Sequence, residues 1–384
     1  MDLKKVVAST LAISLLAGTT ASINMNIESN IFNITSASAE EITGQCGENA
    51  TYTLNSKGVL TISGTGATYD YDDQKNKSPF NNSSDIKSVV IDKGITSIGS
   101  QFFYKCKSLE NVTVSNTVES IGAVCFAYCY NLSNIVLPNN IKSIESQTFY
   151  SCYSLEEITI PESVATIGSS AFACCSNLDN LVIPDSVTSI DYRAFSFCIS
   201  LKNIKIPNTV HNFDDGVFLH CSNLETASLS SQTNKISNTF GECVNLKKVF
   251  IPVSVTDIES KCFFACNNMT DIFYGGTEEM WNKINIQTNQ DKEIISKVKI
   301  HFNAKGISEL GDVNNDEKID SKDAVLILKS YAESLATGKT ENIDKDCADV
   351  NGDGKIDSKD AVLILKYYAA SLAGTFKGSI SDFK

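Results

Sequence analysis

The chain has 384 residues, a formal net charge of −13 at pH 7 and ordinary fractions of apolar and charged residues. These values argue against disorder and leave room for two or three domains with a sizeable core. The acidic balance, without any stretch rich in lysine or arginine, argues against nucleic-acid binding, because a polyanion would be repelled.

The N-terminus has the pattern of a secretory signal. An apolar run from Val6 to Ala17 follows two lysines and is too short to span a bilayer. We predict a signal peptide over residues 1–39, with cleavage after Ala39 favoured over cleavage after Ala21. The mature protein is therefore expected to be extracellular. No later segment is long and apolar enough for a membrane span, so attachment to a surface would need a partner.

From about residue 86 to residue 274 the sequence repeats every 23 residues, with one step of 22. One column of the repeat is Phe103, Phe126, Phe149, Phe172, Phe195, Phe218, Phe240 and Phe263. A second column is Cys106, Cys129, Cys152, Cys175, Cys198, Cys221, Cys243 and Cys266. Each repeat also has an alternating apolar stretch, such as residues 158–161 or 181–184, which predicts a short strand. Stacked repeats would gather these columns into one core.

Thirteen cysteines in a secreted chain first suggest disulfide bonds. A column at a fixed period is explained more simply by small buried apolar side chains, which is the interpretation we favour. Adjacent rungs could be close enough to form disulfides, but the spacing does not select any pairing.

One repeat unit contains, in order, Val187, Ile190, Phe195, Cys198, Leu201, Ile204 and Pro207. This pattern resembles the BspA-like class of bacterial leucine-rich repeats. The resemblance implies a β-rich solenoid of about eight repeats over residues 86–274, an N-terminal hairpin cap over 40–85 and a C-terminal cap over 275–302. It also implies recognition of a protein or surface ligand, without identifying that ligand.

The outward positions of the strand column carry mixed side chains: Thr113, Val136, Thr159, Val182, Lys205, Ser228, Phe250 and Phe273. Sugar binding generally uses aromatic platforms with nearby polar groups, and only the last two residues supply such platforms, so a glycan ligand is weakly supported. A second aromatic cluster comprises Tyr128, Tyr130, Tyr150 and Tyr153. Covering the edge of the coil is the favoured role for these tyrosines.

A linker over residues 303–310 leads to two acidic loops 37 residues apart. Calcium needs about six to eight oxygen ligands, and such loops supply side chains at positions 1, 3, 5 and 12, a carbonyl at position 7 and a water-mediated contact at position 9. The predicted ligands of two Ca²⁺ ions are Asp312, Asn314, Asp316, Lys318, Asp320, Asp323, Asp349, Asn351, Asp353, Lys355, Asp357 and Asp360. Glu317 replaces the turn glycine that Gly354 retains, so we expect the first site to be strained or weaker.

Each loop precedes the same sequence, Ala-Val-Leu-Ile-Leu-Lys, at residues 324–329 and 361–366. Five consecutive apolar residues on a helix face all directions, and a small module cannot bury them all. Residues 311–373 resemble a type I dockerin, a small all-α calcium-binding module, with residues 374–384 as a tail. The resemblance implies a cohesin partner on the scaffolding protein of a cellulosome-type, polysaccharide-degrading complex. It implies recognition residues Ser321, Lys322, Ser358 and Lys359, supported by Lys329 and Lys366.

The complete chain is thus predicted to be a multidomain α+β protein without catalytic activity. Because the two helix copies match, we predict two docking orientations related by a near twofold axis. A surface adhesin is one alternative. A glycoside hydrolase component is the other, but it needs two carboxylates across a cleft, and Asp214-Asp215 and Glu278-Glu279 are adjacent pairs whose side chains diverge. The histidines His211, His220 and His301 are scattered, without a nucleophile motif.

Overall fold

The computed structural model describes residues 21–24, 33–36, 41–72, 74–307, 310–314, 318–337, 343, 345–376, 378, 380 and 383. The predicted signal peptide lies outside these residues, apart from the two strands β1 and β2. Those two strands pair as an antiparallel hairpin.

The described strands are β1 (Ala21–Asn24), β2 (Asn33–Ser36), β3 (Ile42–Gln45), β4 (Gly47–Leu54), β5 (Val59–Thr68), β6 (Ser88–Ile91), β7 (Ile95–Ile98), β8 (Asn111–Val114), β9 (Ser120–Ile121), β10 (Asn134–Val136), β11 (Ser143–Ile144), β12 (Thr166–Ile167), β13 (Ser189–Ile190), β14 (Asn203–Lys205), β15 (Asn212–Phe213), β16 (Thr226–Ser228), β17 (Lys235–Ser237), β18 (Lys248–Ile251), β19 (Asp257–Glu259), β20 (Asp271–Tyr274), β21 (Asn285–Ile286) and β22 (Lys299–His301). The described helices are α1 (Glu278–Trp281), α2 (Asn289–Ile295), α3 (Ser321–Thr337), α4 (Lys345–Ala348) and α5 (Ser358–Leu372).

These elements form a β-solenoid of about eight turns followed by a helical C-terminal region, which confirms the predicted fold class. The chain divides into two compact units. The first contains the described residues up to 246 together with 254–269 and 285–297. The second contains residues 247–253, residues 270–284 and the described residues from 298 onward.

The solenoid begins with the hairpin that its sequence predicts. Strands β4 and β5 pair antiparallel, with Tyr52 opposite Ile62. Strand β5 then pairs in parallel with β6, with Leu60 opposite Val89. The first repeat therefore pairs with a strand of the hairpin, and the outer edge of this sheet is β3.

Parallel pairing follows the 23-residue period. In one row of strands Ile144, Ile167 and Ile190 are neighbours on β11, β12 and β13. In the other row β6 pairs with β8, β8 with β10, and β14 with β16. In the second unit β18 pairs with β20 and β20 with β22. Equivalent residues of successive repeats therefore lie directly beside one another.

Two of the predicted strands are not formed as paired strands. Residues 158–161 and 181–184 keep the alternating burial of an extended segment, but the only pairing described near them is an isolated bridge between Glu157 and Asn180. Alternation decides which side chains face the core. Ladder hydrogen bonds also depend on the distance between neighbouring turns, which the sequence pattern does not specify.

The phenylalanine column forms a continuous stack inside the first unit. From Phe103 to Phe263, successive ring centroids lie 5.3 to 6.1 Å apart and successive ring planes are within 15° of parallel. All eight rings are fully buried. Offset stacking of this kind adds to the apolar burial that holds the turns together.

The cysteine column is buried beside the phenylalanine stack, and all thirteen cysteines are free thiols. Each column thiol also donates a hydrogen bond to a carbonyl of the preceding repeat, as Cys175 Sγ does to Phe149 O at 3.2 Å. Burial raises the pKa of Cys106 and Cys221 to about 12, so these thiols stay protonated and can donate. The cysteines therefore combine a small apolar volume with a weak donor.

The turns between the two strand rows contain left-handed backbone conformations at residues other than glycine, which the sequence does not predict. Val124 and Tyr128 have φ angles of 60° and 62°, although neither is glycine. The same two positions are left-handed in the other repeats as well. Their amides point along the solenoid, so that Tyr128 N donates to Tyr150 O at 2.7 Å. Hydrogen bonds to the next turn offset the strain of these conformations.

Backbone hydrogen bonds between successive turns form a ladder along the solenoid. At its C-terminal end, one side-chain carboxylate accepts the last of these hydrogen bonds. Asp291, fully buried on α2, accepts hydrogen bonds from Phe263 N at 2.8 Å and Cys262 N at 3.2 Å. In the interior, a carbonyl of the next turn fills this role, as Cys262 O does for Phe240 N. The side chain thus replaces the missing turn and satisfies buried donors.

Candidate metal loops and exposed helix surface

The C-terminal helices α3 and α5 share a small apolar core. It contains Ala324 and Ile327 of α3, Ala361 and Ile364 of α5, and Ile380. The helical pairs are the first and fourth residues of the duplicated apolar run, which lie on one face of a helix. The packing extends past residue 373, where the sequence places the end of this module.

In the first acidic loop, the described contacts converge on Asp323. Its Oδ1 accepts hydrogen bonds from Val313 N at 2.9 Å and Asn314 N at 3.0 Å, and its Oδ2 accepts from Asp320 N at 2.8 Å. Asp323 is fully buried, although it lies in the first turn of α3 directly after the exposed Ser321 and Lys322. The predicted ligand Asp316 lies outside the described residues.

The second loop repeats this arrangement. Asp360 accepts hydrogen bonds from Asn351 N at 3.1 Å and from Asp357 N at 2.9 Å. Asp349 accepts from Asp353 N at 3.1 Å and from Gly354 N at 2.8 Å. Gly354 has φ of 79°, a left-handed conformation that favours glycine. The second loop therefore wraps its backbone around its first and last carboxylates, and the described part of the first loop wraps around its last carboxylate.

The donor set of the loops suits a hard divalent cation. Asp312, Asp323 and Asp360 are almost completely buried, and buried carboxylates need compensating charge. Each carboxylate that accepts backbone N–H groups keeps further lone pairs for a cation. The predicted ligands are all oxygens, which suits Ca²⁺ or Mg²⁺ better than Zn²⁺. Within the described ranges, no three His, Cys, Asp or Glu side chains form a ready metal cluster.

The predicted partner-binding residues all lie at the surface. Lys322 Nζ is 3.8 Å from Asp320 Oδ2, and Lys359 Nζ is 3.6 Å from Asp353 Oδ2. Both lysines are mostly exposed, so these ion pairs are weak. The other four predicted residues are also exposed: Ser321, Lys329, Ser358 and Lys366. The position-7 residues Lys318 and Lys355 are exposed as well.

Each long helix presents apolar side chains to solvent. On α3, Val325 is 60% and Leu328 is 42% exposed; on α5, the equivalent Val362 and Leu365 are 48% and 42% exposed. Exposed aliphatic residues at i and i+3 form a stripe on a helix. Two copies of such a stripe on a small module indicate a binding surface.

The histidines and paired acids outside this module have structural contacts. His220 stacks on Phe197 and lies 3.1 Å from Glu242. His301 Nε2 lies 2.7 Å from Asp271 and its ring stacks on Phe273. The two acidic pairs also have local contacts. In the first, Asp214 accepts a hydrogen bond from the backbone amide of Asp215. In the second, Glu279 forms an ion pair with Lys283.

The two aromatic residues proposed as sugar platforms differ in exposure. Phe250 is partly exposed. The predicted outward position of Phe273 is wrong, because its side chain is 4% exposed and stacks on His301. Among the turn tyrosines, Tyr130 stacks on Tyr153 with centroids 4.9 Å apart, and Tyr128 packs edge-on against Tyr150. The tyrosines thus line the edge of the coil, as the favoured interpretation predicts.

Two family models match the chain. Residues 75–198 and 165–291 match the model described as BspA type Leucine rich repeat region, in six copies, and residues 310–368 match that of the Dockerin type I domain. Both are binding modules rather than catalytic ones. No curated protein sequence matches the chain. In the described part of the chain, no helix has the length and apolarity to cross a bilayer.

Several solved structures are similar. A leucine-rich repeat protein from Eubacterium ventriosum is 23% identical, with 62% of this chain and 86% of that chain covered and a TM-score of 0.32. The T. pallidum leucine-rich repeat protein TpLRR is 19% identical, with coverage of 66% and 95% and a TM-score of 0.36. The pneumococcal vaccine antigen PcpA is 14% identical, with coverage of 67% and 99% and a TM-score of 0.31.

Proposed function

The chain belongs to the BspA-type leucine-rich repeat family and carries a type I dockerin domain, and from this premise we propose that it is a non-catalytic, secreted binding subunit. The dockerin attaches it to a cohesin module of a cellulosome-type scaffolding protein. The solenoid binds a protein or surface ligand. The observation that carries the proposal is the pair of exposed apolar stripes on α3 and α5, each of which follows a carboxylate-rich loop.

Calcium is the cofactor that this proposal requires. The twelve predicted loop residues would hold two Ca²⁺ ions. The ions would supply the positive charge that the buried carboxylates need. Asp323 and Asp360 connect each loop to its helix, since both accept hydrogen bonds from loop amides and lie in the first turn of α3 and α5. Ion binding would therefore stabilise the position of both helices. The first site, with Glu317 in the glycine position, should bind more weakly.

The cohesin would contact the exposed stripes and the residues at loop positions 10 and 11. On one copy these are Ser321 and Lys322, with Lys329 about two turns further along α3. On the other they are Ser358, Lys359 and Lys366. Because the two copies carry the same residues in the same places, either copy could occupy the same cohesin site, which gives two docking orientations.

Calorimetric titration of the full-length protein with purified type I cohesins tests calcium-dependent docking. We expect at least one cohesin to bind in calcium and binding to disappear in EDTA. Asp323→Ala combined with Asp360→Ala should abolish binding in calcium, because both loops lose their last carboxylate. Asp185→Ala, an exposed solenoid acid, is the control and should bind normally. Binding that persists in EDTA would overturn the calcium requirement.

The two orientations are tested by charge reversal at position 11. Lys322→Glu and Lys359→Glu should each retain cohesin binding, because the other copy remains intact. The double variant should bind much more weakly, since both recognition surfaces are then altered. If either single variant loses as much affinity as the double variant, the protein docks in one orientation only.

Surface adhesion is an alternative role for the solenoid, and it differs from a role inside the complex only in the ligand. Export through the predicted signal peptide would bring either function outside the cell, where the scaffolding protein could keep the chain at a cell surface or on a substrate. An enzymatic role has less support. Turnover of a plant polysaccharide by the purified protein, lost on substitution of a single carboxylate, would revive it.

A further inference from the structure

The row of strands that contains β10 and β14 is interrupted between them, and a cleft of about 460 Å³ lies at this interruption. Its floor includes the outward side chains of Val136, Thr159 and Val182, one from each of three successive repeats. Glu157 and Glu162 also line the cleft. The cleft thus combines a short apolar stripe with carboxylates.

The apolar stripe is unusually open to solvent. Val136 is 70% exposed and Val182 is 80% exposed, on either side of the exposed Thr159. The buried side chains of the same segments, such as Ile158 and Ile160, face the core. Two valines at this exposure offer apolar area that a ligand could remove from water.

The carboxylates at the cleft carry uncompensated charge. Glu157 and Glu162 are exposed, and within the described part of the chain neither forms an ion pair or a side-chain hydrogen bond. Asp185 occupies the position equivalent to Glu162 in the next repeat and is also exposed. The apolar stripe therefore lies between negative charges near both ends of the segment, which favours a ligand with positive charges at matching positions.

The floor of the cleft is also the least constrained part of this row. Apart from the bridge between Glu157 and Asn180, the structure assigns no ladder pairing to residues 157–160 and 180–183. Elsewhere in the same row, residues 111–114 are paired with their neighbours. Segments held by fewer ladder hydrogen bonds adjust at lower cost when a ligand binds.

We propose that this cleft binds an extended peptide segment of a partner protein, in which an aliphatic side chain lies between two lysine or arginine side chains. The aliphatic group covers Val136 and Val182, and the two cations approach Glu157 and Glu162. This proposal rests on the protein-binding function proposed for the solenoid and specifies the chemistry of its ligand. It involves no residue of the dockerin.

Fluorescence anisotropy with the full-length protein tests the charge preference. The probes are two labelled peptides, Lys-Thr-Val-Thr-Lys and Glu-Thr-Val-Thr-Glu, both acetylated and amidated; an extended backbone places the central valine on the same face as the two charged side chains. We expect the basic peptide to bind about ten-fold or more tightly than the acidic one, with the difference shrinking as salt is added. Glu157→Gln combined with Glu162→Gln should remove this preference. Glu110→Gln combined with Glu119→Gln changes net charge equally outside the cleft and should leave it intact.

A second pair of variants tests the apolar stripe. Val136→Ser combined with Val182→Ser should weaken binding of the basic peptide without loss of folding, because both side chains are exposed. Equal binding of the two peptides, an equal effect of the control pair, or no saturable binding of the basic peptide would overturn the inference. So would binding of neutral cellohexaose that competes with the peptide and is insensitive to salt. Titration of the same variants with cohesin distinguishes failure of the cleft proposal from failure of the proposed docking function, because the cleft variants should still bind cohesin.

Discussion

The solenoid and the C-terminal module are both built by internal repetition, yet they use it differently. In the solenoid each turn covers the apolar columns of its neighbours, so that all eight phenylalanines of the column are buried. In the module two copies fully bury only the first and fourth residues of their apolar runs, and Val325, Leu328, Val362 and Leu365 stay exposed. A stack of many turns thus completes its own core, whereas a single duplication leaves a surface for another molecule.

The largest effect should come from the middle of the solenoid. Phe172→Ala removes a ring that stacks on both Phe149 and Phe195, and it should lower the free energy of unfolding by about 3–5 kcal/mol. Urea denaturation followed by far-UV circular dichroism measures the change. Leu328→Ala, at a half-exposed position of the module, is the contrasting variant and should cost much less. Similar losses at both positions would remove the distinction between the two regions.

Removal of calcium should have the second-largest effect, and it should lower the stability of the C-terminal module but not that of the solenoid. With calcium at about 100 times its dissociation constant, an ion bound only by the folded module contributes about 2.7 kcal/mol. EDTA should therefore speed amide exchange in α3 and α5 while exchange in the strands of the solenoid stays unchanged. Hydrogen–deuterium exchange with mass spectrometry resolves these segments. Equal protection of α3 and α5 with and without calcium would contradict the proposed metal dependence.

The closing carboxylate provides a smaller effect at the end of the solenoid. Asp291→Ala leaves the amides of Cys262 and Phe263 without their acceptor, which should cost about 2 kcal/mol. Asp291→Asn keeps one acceptor oxygen and should cost less. In Asp291→Ala, hydrogen–deuterium exchange at the amides of residues 262 and 263 should become faster, and it should change less at the amides of interior turns. Uniform destabilisation of all turns would show that the end is not closed by this side chain.

The smallest effect distinguishes the two roles of the cysteine column. Cys175→Ala removes volume and the hydrogen bond to Phe149 O, at a cost of about 1 kcal/mol. Cys175→Ser keeps a donor, so it should cost less if the hydrogen bond matters. A greater loss for serine than for alanine would mean that the thiol acts as an apolar side chain alone. Cys174→Ser, at a partly exposed neighbour, is the control.

The amino-acid sequence predicted most of the features that distinguish the two regions. The 23-residue period predicted the stacking of turns and the buried phenylalanine and cysteine columns, because residues one period apart must be neighbours in a stack. The duplicated loops predicted that a helix follows each of them, as α3 and α5 do. The same pattern could not reveal that Asp291 closes the ladder, since a single aspartate in a cap has no periodic counterpart.

The sequence alone determined the repeat, the two acidic loops and the apolar runs that follow them, because local spacing governs which residues share a face. Only the tertiary structure decided which outward residues are exposed: Phe273 is covered by His301, whereas Val136 and Val182 remain open. It also decided the left-handed turns at residues such as Val124. Exposure and backbone strain depend on contacts with neighbouring turns, and those contacts exist only once the turns have stacked.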